Sequence, residues 1–339
     1  MNMKKIFCCI VEWPCLNKTR WALLVLAIAG FLLSAWAMTR GARYKHASNK
    51  GATSDFTQPG ITLPRLSSMT SDELRHVEIG LLNLRCATGL PGTDTMDVET
   101  AVTELDRMAR GVKTETVGHS RKFQANPKEF NGSEAYFRML CLVTVLQQDF
   151  RVRYSPNRAK PSDGAIEPNE TFFADSRDIF LHGLLGTKRT GTCASLPVLY
   201  VAVGRRLGYP LKLVAAKNHL FVRWENERER LNIEATTQGL TTFDDDYYRR
   251  WPFPMTPEEE RTERYLTSLT PAEELSVFLS LRTQCLLAAG RWTEALSSQE
   301  RVCRLAPYSV THREILERVR SQTKSLERRN QNHQAALNL

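Results

Sequence analysis

The spacing of apolar positions changes several times along the chain, and each change predicts a different element. Thr70 and Ser71 suit a helix cap, and Leu74, Val77, Leu81 and Leu84 then recur at helical intervals until Gly89 and Pro91 interrupt them, which predicts a first helix. A second helix is expected after Asp97, with Val98, Val102, Leu105 and Met108 on one stripe. A third holds Tyr136, Phe137, Leu140, Leu142, Val143, Val145 and Leu146; it is apolar on most faces and therefore central. From Asp175 the pattern shortens. Asp178 to Leu185 reads as a short helix, Lys188 to Thr192 as a turn, and Ala194 to Leu207 as a helix stopped by Gly208. Three runs of strand character follow, Leu211 to Ala216, His219 to Trp224 and Arg230 to Ala235. Helices followed by antiparallel strands predict an α+β fold rather than a doubly wound sheet, with the Pro-rich stretch Trp251 to Pro257 closing the domain.

Beyond that stretch, Pro271 to Gly290 and Arg291 to Ala306 predict a helical hairpin whose Gly290, Trp292, Ala295, Leu305 and Pro307 resemble the tetratricopeptide pattern. One repeat cannot bury a solenoid core, so packing on the preceding domain and a groove for a protein partner both stand open. After Thr311 a polar helix is expected to fray into a disordered tail over residues 326–339.

The opposite end has a different character. Trp21 to Met38 is an uncharged run in which Ser34 is the conventionally polar side chain, and 18 residues at about 1.5 Å each reach roughly the thickness of a bilayer core. The run exceeds the apolar core of a signal peptide and lacks a small-x-small cleavage site, so it reads as a retained single-pass anchor in a bacterial inner membrane. It is flanked by a basic tail over 1–20 and followed by a Gly/Ser/Thr/Pro-rich linker over 39–66. Lysines and arginines are balanced on its two sides, so the side facing the folded part stays undetermined. The predicted organisation continues with a domain over 67–257, its core at about 125–245, and the C-terminal helices over 258–325.

Composition removes some classes of function. With 42% hydrophobic and 24% charged residues, the chain has the balance of a folded protein. Its formal charge of +9 is concentrated at the start: eight Lys and Arg against Glu12 give residues 1–50 a charge of +7, leaving +2 for the rest. A near-neutral folded part does not suit a nucleic-acid partner. Of the eight cysteines, Cys8, Cys9 and Cys15 precede the anchor, and Cys86, Cys141, Cys193, Cys285 and Cys303 form no C-x-x-C pair, so neither a zinc nor a disulfide framework is legible. Cys86, Cys141, Cys285 and Cys303 fall on helical stripes and read as core. No metal or cofactor is expected, and the run Asp244, Asp245, Asp246 reads as a solvated loop of diverging carboxylates.

The chemistry concentrates between Gly191 and Gly239. Cys193 stands where a turn enters a helix, with Gly191 or Thr192 as its cap, and a helix N-terminus favours the thiolate and offers N–H groups to an oxyanion. His219 opens one strand and Glu234 lies near the end of the next. A hairpin around the loop Glu225 to Arg228 would set Val222 against Leu231 and Leu220 against Ile233 on an apolar face, and Arg223 against Arg230, Phe221 against Asn232 and His219 against Glu234 on the other. Opposed residues on one face have Cβ atoms about 4.5–5.5 Å apart, close enough for the carboxylate to hold one imidazole nitrogen and free the other. Asp175 and His182 lie upstream as further residues of the site. Each of the three has an ordinary reading alone, as a small core residue, a strand-end histidine and a surface carboxylate. Their combination points to catalysis.

The segments Arg189-Thr-Gly-Thr-Cys-Ala-Ser-Leu-Pro-Val-Leu-Tyr200, Arg206-Leu-Gly-Tyr-Pro210, Asn218-His-Leu-Phe-Val-Arg-Trp224 and Asn232-Ile-Glu-Ala-Thr236 resemble the bacterial transglutaminase-like superfamily over roughly residues 125–245. The resemblance implies a papain-like α+β core with Cys193 as nucleophile, His219 as general base and acid, and Glu234 as orienter, acting on a protein or peptide amide by hydrolysis or transamidation. Glu replaces the commoner Asp, and the interval from Cys193 to His219 is short. Some branches of the family resemble accessory proteins, so the alternative is a catalytically silent, membrane-tethered scaffold.

Overall fold

The computed structural model describes residues 60–158 and 169–337. The chain divides into units over 1–53 and 54–339, and the described residues belong to the second. The proposed anchor Trp21–Met38 and most of the linker fall outside them. Among the described residues, no helix is long and apolar enough to cross a membrane.

The folded part begins earlier than the linker boundary at 66. Helix α1 (Leu63–Ser68) buries Leu66 completely, and a two-sided capping box between Thr70 and Glu73 opens α2 (Ser71–Leu74). The single helix expected up to Gly89 is interrupted at Glu78. Its carboxylate caps Gly80 and Leu81 at 2.7 and 2.9 Å and pairs with Arg206 at 2.7 Å, so the chain restarts as α3 (Ile79–Ala87). Helix α4 (Val98–Ala125), capped by Asp97, buries Val98, Ala101, Leu105, Met108 and Val112 on one stripe. Helix α5 (Glu134–Thr144) widens at its end into a π turn over Val145–Asp149, with Phe150 N–H reaching the Val145 carbonyl.

A short strand β1 (Arg153–Tyr154) precedes α6 (Asn169–Phe172). The helix expected over Asp178–Leu185 is two turns, α7 (Ser176–Ile179) and α8 (Leu181–Leu185), split where Phe180 is extended. Strand β2 (Thr190–Gly191) runs parallel to β1. Helix α9 (Leu196–Arg205) buries every residue from Leu196 to Gly204 and is the central helix of the core, each large aliphatic side chain contributing about 1.5–3 kcal/mol by leaving water.

The four-stranded antiparallel sheet follows in the order β3 (Leu211–Ala216), β4 (His219–Glu225), β5 (Arg230–Glu234) and β6 (Thr241–Thr242). The turn between β3 and β4 is Lys217-Asn218, with Asn218 at φ 55, a left-handed conformation that asparagine tolerates. The faces are those expected from the sequence, but the register of β4 and β5 is shifted by two. Val222 pairs with Ile233, Arg223 with Asn232, Trp224 with Leu231 and Glu225 with Arg230, so the loop is Asn226–Glu229. The shift removes an Arg223–Arg230 opposition and lets Arg230 approach Glu225 at 3.5 Å.

Two short helices, α10 (Asp245–Arg250) and α11 (Pro257–Glu263), lead to a segment that runs along β3, where Leu266 and Leu269 donate to Ala215 and Leu213. The sheet edge is thus covered by chain from beyond the boundary expected at 257. The hairpin α12 (Pro271–Ala288) and α13 (Trp292–Leu305) packs back on the domain: Glu274 pairs with Arg205 at 2.5 Å, and Arg282 donates to the Cys86 and Thr88 carbonyls. Helix α14 (Val310–Leu337) continues through most of the segment expected to be disordered from 326, which contains neither Gly nor Pro to stop it.

Candidate active site

Cys193 lies in a tight turn rather than in α9 itself, which begins three residues later than Cys193 because Pro197 and the turn at Thr192 delay it. The Thr192 carbonyl accepts from both Ser195 and Leu196, and Thr192 Oγ1 caps Ala194 at 3.3 Å, so the turn runs into the helix. Thr192 Oγ1 and Ser195 Oγ both donate to the Asp178 carbonyl, at 2.8 and 3.0 Å, while Ser195 Oγ also accepts from Thr192 N–H. Upstream, Arg189 pairs with Glu104 of α4, and Ser155 N–H reaches the Gly191 carbonyl. Gly191 has no room for a side chain, since a Cβ would stand 2.5 Å from Ser195 Oγ. The Cys193 turn is therefore fixed from three sides.

His219 and Glu234 meet as anticipated, by a different route. In the observed register Phe221 falls opposite Glu234, so His219 reaches the carboxylate diagonally, Nε2 to Oε2 at 2.9 Å. Glu234 has three further hydrogen bonds: Thr236 Oγ1 and N–H on Oε1 at 2.5 and 2.9 Å, and Tyr248 Oη donating to Oε2 at 3.3 Å. Burial favours the protonated carboxyl, but His219 and Thr236 outweigh it and hold the group below the usual carboxylate range. Burial likewise favours neutral imidazole, yet the charge of Glu234, its hydrogen bond and the nearby Cys193 raise His219 above the ordinary histidine range. Acid and base are thus both charged near neutrality. The stability that His219 gains is complete below about pH 6.5 and is lost as pH rises through its raised value, whereas that of Glu234 is present above about 4.5 and is lost as pH falls.

The other imidazole nitrogen, Nδ1, is buried without a hydrogen-bond partner, and Cys193 is near enough to act on the charge of the ring. The imidazole is 0% exposed and Cys193 8%, so both lie below the surface of the fold. Half-buried Trp251 lies edge-on to His219 with ring centroids 4.8 Å apart, and Phe221 stacks on Tyr248 behind it. Sequence reasoning missed Thr236, Tyr248 and Trp251. Thr236 carried a local signal, a hydroxyl two residues after a carboxylate; Tyr248 and Trp251 reach the site through tertiary packing.

The remaining candidates sit elsewhere. His182 shares Ser176 Oγ at 3.3 Å and is pushed down to about 4 by burial, while Asp175 is bound by Arg177; neither bonds to the three residues above. The Asp244–Asp246 run opens a helix instead of forming a solvated loop. Asp244 caps α10, Asp246 pairs with Arg249, and Asp245 binds buried Arg223 at 2.6 Å. The three aspartates line a cleft of about 560 Å³ that includes none of Cys193, His219 and Glu234. Among the described residues no cluster of histidine, cysteine and carboxylate is placed to hold a metal. Cys86, Cys141 and Cys285 are buried and Cys303 half-buried, and none of the four is in a disulfide.

Compared with known families, residues 99–279, more than half of the chain, match the family model described as Transglutaminase-like superfamily. No curated protein and no solved structure matches the chain.

Proposed function

Because this chain belongs to the transglutaminase-like superfamily, with its cysteine-protease-like fold, we propose that it is a cysteine acyl-transfer enzyme acting on protein or peptide amides. The observation that carries the reading is the buried His219–Glu234 pair, whose second imidazole nitrogen has no partner and whose ring lies within the electrostatic reach of Cys193. Family membership alone would not establish a reaction.

The chemistry follows from the positions of the protons. In the resting enzyme the thiol proton already resides on His219, a thiolate–imidazolium pair held by the Glu234 charge. The thiolate adds to the amide carbonyl, and the Cys193 N–H, which makes no hydrogen bond among the described residues, is available to the oxyanion. The imidazolium gives its proton to the leaving amine, the C–N bond breaks, and a Cys193 thioester remains. Neutral imidazole then takes a proton from water or from an incoming amine, which attacks the thioester and releases the sulfur. Trp251, beside the imidazole, is placed to line the approach of substrate. The run Trp21–Met38 would tether the enzyme to a membrane.

Incubating the full-length protein with a library of peptide amides and quenching in acid tests the reaction. A mass increase confined to the peptide containing Cys193, absent from Cys193→Ala, is the expected result. Substrate turnover that persists in Cys193→Ala would remove the proposed nucleophile.

A further inference from the structure

One oxygen of Glu234 serves His219, and the other is occupied by Thr236, which lies on the loop between β5 and β6. A short surface loop is mobile unless its backbone is tied down. Here the tie comes from Gln147, at the centre of the π turn that ends α5. Its Oε1 accepts from Gly239 N–H at 2.8 Å, and its Nε2 donates to the Thr237 carbonyl at 3.0 Å. The same Nε2 donates to Tyr200 Oη at 3.0 Å, on the helix that follows the Cys193 turn. One amide thus joins the cysteine's helix to the loop that holds the carboxylate. The π turn, which presents this side chain, is a feature enriched at functional sites.

We propose that Gln147 is a positioning residue: by clamping the Thr237–Gly239 backbone it keeps Thr236 on Glu234, and so holds the carboxylate against His219 in line with Cys193. This rests on the cysteine-enzyme reading for its purpose, but the clamp itself can be measured independently. The groups facing the acid–imidazole pair are Cys193, Tyr200, Tyr247 and Tyr248, and burial raises all three tyrosines, which stay neutral through the range of the test.

The test is the titration of His219, followed by histidine-selective NMR in the full-length protein and assigned with His219→Ala. In Gln147→Leu, loosening Glu234 should lower the His219 midpoint by about one pH unit, and alkylation of Cys193 at pH 6 should slow by about tenfold. Thr236→Val should shift the midpoint in the same direction, and Thr236→Ser should restore it. A midpoint unchanged in Gln147→Leu, even with a lowered melting temperature, would make the residue merely structural and overturn the proposal. If Gln147→Leu does not fold, the Thr236 pair decides: no shift in Thr236→Val overturns it. Should wild-type Cys193 prove unreactive while the His219 midpoint still responds, the enzyme reading fails and the clamp stands.

Discussion

His219→Ala is expected to slow alkylation of Cys193 at pH 6 by at least about tenfold. A free thiol, titrating near 8.5, is only about 0.3% thiolate at that pH, so an ion pair with imidazolium can raise the reactive fraction by up to roughly 300-fold. A less basic thiolate is also less nucleophilic, which returns part of the gain. Burial pushes Cys86 and Cys285 up to about 12, leaving them inert under the same conditions, and the other cysteines are separated from Cys193 by peptide mapping. Glu234→Gln should give a smaller loss, since the amide can still orient the ring but no longer supplies the charge that stabilises it. Peptide mapping after timed exposure to iodoacetamide gives both rates. Equal rates for wild type and His219→Ala would mean that the two side chains do not cooperate.

The second large effect concerns stability. Arg223 lies on the same strand face as His219 with its side chain 1% exposed, and its charge is neutralised by Asp245 at 2.6 Å, with Asn232 and the Leu266 carbonyl completing its bonds. Burial lowers the guanidinium below its usual range, with Asp245 opposing. Asp245→Ala leaves this buried cation without a counter-charge, and the expected cost is about 3 kcal/mol or more. Replacing both partners, as Arg223→Met with Asp245→Leu, should cost less than the single change, because the stranded charge is gone. Urea unfolding of the purified variants measures the difference. A double variant less stable than Asp245→Ala would show that the ion pair itself, rather than the unpaired charge, carries the energy.

The same strand pair shows what the sequence could and could not decide. Side chains on a strand alternate with a period of two, so the hydrophobic pattern settles which face Val222, Trp224, Leu231 and Ile233 share. It cannot distinguish registers two residues apart, because both keep those faces. The discriminating signal was electrostatic: the expected pairing set Arg223 against Arg230, whereas the observed one sets Arg230 against Glu225. His219 and Glu234 still meet, since a long carboxylate reaches a diagonal neighbour. The α+β class and the central α9 were legible because apolar residues dominate those segments. Helix boundaries were less so, because Glu78 and the Thr192 turn redirect the backbone through contacts with Arg206 and Asp178 that lie far away in sequence. Gln147, Tyr248 and Trp251 have no local pattern, as their roles arise only when the sheet and helices come together.

The central claim is that Cys193 shares its proton with an imidazole kept charged by Glu234. The pH dependence of Cys193 alkylation in the wild-type protein tests it most directly. The raised His219 keeps its proton through neutrality, so the thiolate–imidazolium pair predicts a rate already above that of a model thiol at pH 6, by about tenfold or more, and nearly level to pH 8. A rate that matches the model thiol at pH 6 and climbs with it as pH rises would contradict the account.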